Sequence, residues 1–300
     1  MQGLILLDKP EGITSFKAAA VLRHLCCEKR IGHTGTLDPM ATGVLPVLLG
    51  QATRLSSLLI TAEKRYTATI RLGITTDTLD ITGQVLSEKP VSVSRDELET
   101  VLGKFRGEIS QLPPMYSAIK KDGRRLYELA REGIEVERAP RTVNIKEISI
   151  SEQLSDREYV IDVLCSKGTY IRSLADDIGK ALSCGAVLTG LRRTMTAGFD
   201  IADCTPLSVI EENGVQNYIL PPDRAVMNYG EVRVSMAQAV RFCNGGELFL
   251  SRLTLPDDIG DGDLLRVYGP KGFLGMGKAD LQGEQLKVFC VIGGKSVVYR

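Results

Sequence analysis

The chain has few of the residues from which metal sites and disulfide frameworks are built. Its 300 residues include two histidines, His24 and His33, and no tryptophan. Its seven cysteines are an odd, scattered set without a Cys-x-x-Cys pair, which is typical of reduced and mostly buried thiols. Ligand pairs at zinc spacing are missing. The sequence therefore predicts no metal site and favours a reducing compartment.

Long apolar runs and an excess of charge of one sign are also missing. No run reaches the length of about eighteen apolar residues that would mark a membrane-spanning helix. The segment 1–9 lacks the basic region and cleavage site of a signal peptide, so we expect a cytoplasmic protein without membrane contact. Because 37 basic and 37 acidic residues give zero net charge, any RNA-binding surface must be local.

The periodicity of apolar residues predicts a mixture of strands and helices. We expect Ser15 to cap a helix that runs to about Glu28, and the capping box Ser94-x-x-Glu97 to open a second helix that ends near Leu102. The strands and helices do not alternate regularly, which indicates an α+β fold rather than a doubly wound sheet. The remaining predicted elements are strands at Leu4–Leu7, Val44–Leu49, Tyr66–Leu72 and Tyr159–Ser166, and a helix at Tyr170–Leu182.

The composition changes near residues 220–232. Pro221 and Pro222 precede a region in which glycine-rich turns separate short apolar runs, with one helix at Met236–Cys243. Such a pattern is typical of a small all-β unit. We therefore place a domain boundary there.

Residues 30–43 fit neither periodicity and predict an irregular loop. Gly35 allows tight backbone geometry, and Pro39 restrains the residue before it, which is Asp38. A carboxylate held stiffly on such a loop suits a reacting group. An aspartate before proline is also a common turn former, and the loop by itself does not decide between these two interpretations.

Six segments along the chain carry distinctive motifs, namely Leu6–Ser15, Gly32–Pro46, Tyr66–Gly73 with Thr76–Asp80, Gln111–Ala118, Ser166–Leu174 and Leu191–Thr194. These segments resemble the motifs of the TruB family of bacterial tRNA pseudouridine synthases, in the family's order. One short motif would be a weak signal, whereas an ordered series is a strong one. A shorter and looser resemblance, over 262–280, is to the PUA domain, a small RNA-binding β-barrel.

The resemblance implies a two-domain organisation. Residues 1–225 would form the pseudouridine synthase catalytic domain, with a mixed, largely antiparallel central sheet and an RNA-clasping insertion at about 105–145. Residues 230–300 would form the PUA-like domain.

The implied reaction isomerises the uridine at position 55 of the tRNA T-loop. The base leaves the ribose through N1, rotates and rejoins it through C5. This reaction needs no redox partner, energy source or metal, so we expect no cofactor, no guide RNA and no protein partner, and a monomer. Breaking a glycosidic bond calls for a carboxylate near C1′. The resemblance assigns that role to Asp38; whether it attacks the sugar, attacks the base or draws a proton from C2′ stays open.

The same resemblance implies roles for residues around Asp38. Arg172 would keep the carboxylate ionised. Tyr66 would pack on the uridine once it is turned out of its stack, and His33 would occupy the disrupted RNA loop. Lys9 and Pro10 would shape the floor of the site. Asp77, which shares a motif with Asp80, would interact with the rearranged RNA loop, although turn formation is the alternative for both acids.

Basic residues predict where the phosphates would lie. The densest cluster consists of Lys120, Lys121, Arg124 and Arg125, inside the expected insertion. Phosphate contact is the natural role, and a solvated charge run is the alternative. Further candidates for phosphate contact are Arg141, Lys167, Arg192 and Arg193.

Three other functions were weighed against this one. The RNA-guided pseudouridine synthases share these motifs but carry terminal extensions that this chain lacks. An RNA-folding chaperone in which catalysis is secondary would be compatible with the same residues, although the set Asp38, Tyr66 and Arg172 favours an enzyme. A glycoside hydrolase would need a second well-placed carboxylate, and the sequence marks none.

Overall fold

The computed structural model describes residues 1–293. Its strands are β1 (Gly3–Lys9), β2 (Ile31–His33), β3 (Thr42–Leu49), β4 (Lys64–Leu72), β5 (Ile74–Thr76), β6 (Val85–Glu88), β7 (Gly107–Gln111), β8 (Lys120–Lys121), β9 (Arg124–Arg125), β10 (Arg141–Gln153), β11 (Glu158–Cys165), β12 (Ala186–Thr196), β13 (Phe199–Asp200), β14 (Thr205–Pro206), β15 (Gly230–Arg233), β16 (Leu248–Phe249), β17 (Leu264–Gly269), β18 (Gly272–Asp280) and β19 (Gln285–Val291). Its α-helices are α1 (Ser15–Leu25), α2 (Ser56–Ile60), α3 (Arg95–Gly103), α4 (Leu126–Arg131), α5 (Ile171–Ala181), α6 (Leu207–Asn213) and α7 (Met236–Cys243). None of the helices in this range is long and apolar enough to cross a membrane.

The chain divides into two compact units, and the first is assembled from distant segments. It comprises residues 1–38, 45–60 and the chain from Asp203 onward. Strand β1 lies between β14 and β3, its pairing with β14 is parallel, and β2 pairs antiparallel with β3. Apolar residues of α1 and α6 cover these strands. The core they form contains Ile5, Leu7, Ala18, Leu22, Cys26, Leu45, Val47, Leu49, Leu207, Ile210 and Val215.

The same unit contains a second, five-stranded sheet in the order β15-β17-β18-β19-β16. The pairing of β15 with β17 is parallel, and the others are antiparallel. Helix α7 begins with a capping box in which Ser235 and Gln238 bond each other's backbone N–H groups, and Phe242 is completely buried. The helix predicted at Met236–Cys243 is thus confirmed, as is the prediction of short strands around it.

Two polar contacts connect the end of this sheet to earlier segments of the same unit. The amide of Gln2 donates a hydrogen bond of 2.9 Å to the carbonyl of Ile292. The guanidinium of Arg54 donates one of 3.0 Å to the carbonyl of Val291.

The second unit comprises residues 39–44 and 61–202. Its strands lie in the order β3-β12-β4-β11-β10-β7, where β3 contributes Thr42 and Gly43. The pairing of β3 with β12 is parallel, and the others are antiparallel. This arrangement confirms the predicted α+β class with a mixed, largely antiparallel sheet. Side chains of β4 alternate between buried and less buried, as they do on a strand with one covered face.

Helix α5 packs on β12 because its apolar residues form a stripe. Ile171, Leu174, Ala175 and Ile178 recur at helical spacing and are buried. Helix α3 starts at the predicted capping box of Ser94 and Glu97. Both helices end within one residue of the predicted positions.

Three details of the predicted elements are wrong. Helix α1 is capped by Thr14, whose side chain accepts the N–H of Lys17, while Ser15 is the first helical residue. The same helix ends at Leu25, three residues before the predicted end at Glu28. The segment 30–43 is not irregular throughout, since Ile31–His33 forms β2 against β3. A strand of three residues is too short to show a period. The predicted boundary at 225–230 stays a prediction.

Gly179, near the C-terminal end of α5, tests how closely this helix packs. A Cβ at this position would lie 2.0 Å from the backbone nitrogen of Ala186. We expect Gly179→Ala to lower the free energy of unfolding by about 2 kcal/mol or more, because overpacking forces backbone shifts. Urea unfolding followed by circular dichroism measures the change.

The matched control is Gly103→Ala, at the exposed end of α3, where a Cβ meets nothing within 4 Å. This variant should be as stable as the parent or slightly more stable. Equal stability of both variants would contradict the close approach of α5 to the start of β12.

Candidate active site

The loop that carries Asp38 is held by hydrogen bonds inside the first unit. The hydroxyl of Ser15, on the first turn of α1, accepts the N–H of Leu37 at 2.8 Å and donates to its carbonyl at 3.1 Å. The N–H of Thr34 donates to the carbonyl of Pro46 at 3.0 Å. Gly35 has a positive φ of 86°, which suits a residue without a Cβ. The half-buried Asp38 therefore follows a firmly placed backbone.

Two other predicted residues lie in the same unit. Lys9, at the end of β1, is completely buried. Its ammonium donates hydrogen bonds of 2.7 Å to the carbonyls of Pro10 and Ile13, so it supports the turn that precedes α1. His33 is half-buried on β2, opposite Val47 on β3.

Tyr66 lies on the covered face of β4 in the second unit, with 6% of its surface exposed. Its neighbours in register are Val163 on β11 and Arg193 on β12. Central strands on both sides fix the position of this ring.

Arg172, in the first turn of α5, is buried and bonded to two separate segments of the second unit. It donates hydrogen bonds of 2.8 Å to the carbonyl of Tyr116 and 3.2 Å to the carbonyl of Thr78. Its Nη1 lies 3.7 Å from Oδ2 of Asp80, and 5% and 7% of these two side chains are exposed. A guanidinium removed from water in this way needs such oxygen partners to remain charged at low cost.

Asp80 itself is fixed by the turn that contains it. Its Oδ1 accepts hydrogen bonds from the hydroxyl of Thr78 at 2.8 Å and from the backbone N–H of Thr82 at 3.1 Å. The pairing of Arg172 with Asp80 was not predicted. Its signal in the sequence was the acid-rich motif Thr76–Asp80, for which turn formation had seemed sufficient.

Two further basic residues are buried near Tyr66. Arg193 is completely buried, and its Nε–H donates a hydrogen bond of 2.7 Å to the carbonyl of Val44. Burial, together with the positive charge of Arg193, lowers the pKa of the Lys64 ammonium to about 8. Arg192 donates to the hydroxyl of Thr42 at 3.1 Å. The sequence predicted phosphate contacts for Arg192 and Arg193, whereas nothing in it singled out Lys64.

The basic cluster at 120–125 forms an exposed antiparallel hairpin of β8 and β9. Arg124 forms an ion pair with Glu132 at 2.5 Å, and the ammonium of Lys121 donates to the carbonyl of Glu137. The ring of Tyr127 lies under two guanidinium groups, with centroid distances of 5.8 Å for Arg125 and 5.6 Å for Arg131. Three more predicted residues are exposed elsewhere in this unit, namely Asp77, Arg141 and Lys167.

The structure thus brings some of the predicted residues together within each unit. In the first unit, Lys9 ends β1, His33 ends β2, and Asp38 lies on the following loop, next to Leu37, which is bonded to the first turn of α1. In the second unit Arg172 lies with Asp80, and Tyr66 lies opposite Arg193. In the described part of the chain, no three His, Cys, Asp or Glu side chains are placed to hold a metal ion.

Sequence models of known families match most of these residues. The model of the TruB family pseudouridylate synthase N-terminal domain matches residues 23–171. The model of the tRNA pseudouridylate synthase B C-terminal domain matches residues 172–227. The chain belongs to the TruB family.

Named relatives of this TruB-family chain are similar over almost their whole length. A tRNA pseudouridine synthase B of Azoarcus sp. (strain BH72) is 47% identical over 93% of this chain and 91% of its own. Another, of Clostridium kluyveri, is 43% identical over 96% of this chain and 100% of its own. Among solved structures, a chain of a Cbf5-Nop10-Gar1 complex gives a TM-score of 0.76 and 29% identity, over 99% of this chain and 87% of that one.

The ion pair of Arg172 and Asp80 makes the first test of this site. Asp80→Asn keeps the shape of the side chain but removes the negative charge of Asp80 from beside the buried guanidinium of Arg172. We expect the free energy of unfolding to fall by about 3 kcal/mol, measured by urea unfolding.

Asp77→Asn, three positions earlier, is the matched control. Asp77 is exposed, and its Oδ1 accepts the N–H of Gln84, which an asparagine oxygen can also do. Its stability should change by less than about 0.5 kcal/mol. If both variants unfold at the same urea concentration, the buried pair of Arg172 and Asp80 contributes nothing to the free energy of unfolding.

Proposed function

We propose that this chain isomerises the uridine at position 55 of tRNA to pseudouridine. The observation that carries the proposal is the identity of 43–47% to relatives named tRNA pseudouridine synthase B, over more than nine-tenths of both chains. The firmly held loop before Asp38 and the buried Arg172 are what such a reaction requires.

Asp38, Tyr66 and Arg172 are the proposed catalytic residues. A carboxylate beside C1′ can act on the sugar or base as a nucleophile, or take a proton, only while it is ionised. A cationic partner favours the ionised form, which is the role proposed for Arg172. The target uridine must leave its stack, at a cost of a few kcal/mol, and a ring such as Tyr66 offsets part of that cost by stacking. His33 would occupy the vacated space, Asp77 would face the rearranged loop, and Lys9 would shape the floor of the site.

The RNA would be held by the insertion at about 105–145 and by the C-terminal sheet. The insertion carries the exposed hairpin of Lys120, Lys121, Arg124 and Arg125, and Arg141, at the start of β10, lies near its end. Lys167 is exposed after β11. We propose residues 1–225 as the catalytic domain and 230–300 as a PUA-like RNA-binding domain, supported by the five-stranded sheet in the described part of that segment.

We propose that the enzyme works alone, as a cytoplasmic monomer without a cofactor, guide RNA or protein partner. The solved structures that it resembles include an H/ACA RNP bound to a substrate RNA containing 2'-deoxyuridine, at 27% identity. The bacterial relatives are more similar and match over more than nine-tenths of both chains, which favours the stand-alone reaction. A role in folding RNA is the alternative, and the experiment below separates the two.

The proposed function is tested by incubating the protein alone with an unmodified tRNA T-arm stem-loop and mapping pseudouridine by chemical reverse-transcription stops. The parent should form product. Asp38→Asn, which removes the ionisable group, should slow it by about 10³-fold or more while binding the RNA unchanged.

Correctly folded RNA that yields no product with the parent protein would rule out the stand-alone reaction. Full activity in Asp38→Asn would instead rule out the assigned carboxylate. If product is absent but the protein speeds refolding of the RNA, the chaperone alternative is favoured.

The hairpin is tested through the salt dependence of RNA binding. Lys120, Lys121 and Arg125 are exposed, so replacing all three with glutamine should not unfold the insertion. If they contact phosphates, the slope of log K against log salt should fall by about 2–3, because each contact releases about one counterion. Lys104→Gln, exposed at the end of α3, is the control and should keep the parent slope. An unchanged slope in the triple variant would identify a merely solvated charge run.

A further inference from the structure

A cleft of about 320 Å³ opens on the first unit, between the outer face of α1 and the segment that runs from Lys29 into β2. Its volume is in the range of sites that take small organic groups. The lining residues are Phe16, Ala19, Ala20, Arg23, Lys29, Ile31, Gly32 and His33.

One wall of the cleft is a stripe along α1. Phe16, Ala20 and Arg23 follow the spacing i, i+4 and i+7, so they lie on one face of the helix. That face is directed away from the core, which the same helix contacts through Ala18 and Leu22. The stripe combines an aromatic ring at one end, small residues in the middle and a guanidinium at the other end.

Phe16 is unusually exposed for an aromatic residue, with 74% of its surface accessible. An apolar ring left in water at a cleft offers a platform on which a flat partner can stack. The small side chains of Ala19 and Ala20, beside Gly32, leave room for that partner.

The charge of the lining indicates an anionic partner. Arg23, Lys29 and His33 are basic, and none of the eight lining residues is acidic. The nearest acid in sequence, Glu28, is engaged elsewhere, since it pairs with the N-terminal ammonium at 2.6 Å and accepts the N–H of Arg30. A group that is flat, apolar on its faces and attached to a negative charge has the chemistry of a nucleotide.

The position of the cleft is also informative. His33 lies on its wall and Asp38 follows five residues later on the same chain segment. An RNA that delivers a uridine to Asp38 must open its loop, and bases next to the target then lose their stacking partners.

We propose that this cleft binds one unstacked nucleotide of the substrate RNA other than the target uridine, with its base on Phe16 and its phosphate beside Arg23 and Lys29. The proposal rests on the proposed function, because it needs an RNA loop that has been opened. In this proposal Phe16 contributes to the affinity for RNA and takes no part in the chemical step.

The test combines protein variants with T-arm stem-loops in which a single loop base has been removed. Dissociation constants are measured by filter binding, and rates by single-turnover pseudouridine formation. Phe16→Ala should weaken binding of the intact stem-loop by about 5- to 150-fold, the range for one lost stacking contact, without changing the saturated rate. Phe16→Tyr should restore binding. Because the ring is exposed, neither change should disturb folding.

The decisive measurement is whether the effect of removing the ring of Phe16 depends on the presence of one particular loop base, which would be a coupling between the two. At one loop position, removing the base should weaken binding by the parent protein but have no further effect on Phe16→Ala. Arg23→Gln and Lys29→Gln should each lower the salt slope of binding by about 1, while Lys17→Gln, exposed on α1 outside the cleft, should not.

The outcomes separate the two proposals. If the parent forms pseudouridine but Phe16→Ala loses the same factor as the parent at every abasic position, the cleft proposal is overturned and the proposed function stands. If the coupling is found but the parent forms no product, the cleft binds RNA as proposed and the proposed function fails.

Discussion

A buried guanidinium is the strongest constraint in the second unit, because a cation taken out of water must be met by oxygen atoms from several directions. Arg172 satisfies this requirement with the carbonyls of Thr78 and Tyr116 and the carboxylate of Asp80. These oxygens come from the turn after β5 and from the segment before β8, so one side chain on α5 ties three parts of the chain together. The motifs that looked separate in the sequence are therefore parts of one polar network.

The same principle of polar satisfaction recurs in the first unit, with the backbone as partner. Lys9 uses the carbonyls of Pro10 and Ile13, and Ser15 uses both backbone groups of Leu37. These side-chain hydrogen bonds hold the irregular segments in place, as backbone hydrogen bonds do within helices and strands. The proposed chemistry at Asp38 benefits because a reacting group is most effective when its position is fixed before the substrate arrives.

Much of the fold could be predicted from local patterns in the sequence. The contacts between residues far apart in the sequence could not be predicted. The stripe of Ile171, Leu174 and Ile178 and the capping box at Ser94 each lie within one helix, so α5 and α3 were predicted almost to the residue. Thr14 and Ser15 are both favourable caps by residue type, and the extended backbone of Thr14 makes it the cap. Asp80 and Arg172 are 92 positions apart, and no single sequence shows that they meet. The resemblance of motifs supplied candidate site residues, but not the contacts that hold them.

The division of the first unit has a consequence for how the protein is made. Strand β1 pairs with β14, and Leu4 exchanges backbone hydrogen bonds with Leu220. At typical rates of about 5–20 residues per second, the ribosome needs roughly 10–40 s to supply these partners. During that time an almost wholly apolar strand at the front of the chain has no complete sheet to join. Over this interval the unpaired β1 can pair with the strand edges of other chains. The first residues synthesised are therefore the ones that chaperones must bind and protect.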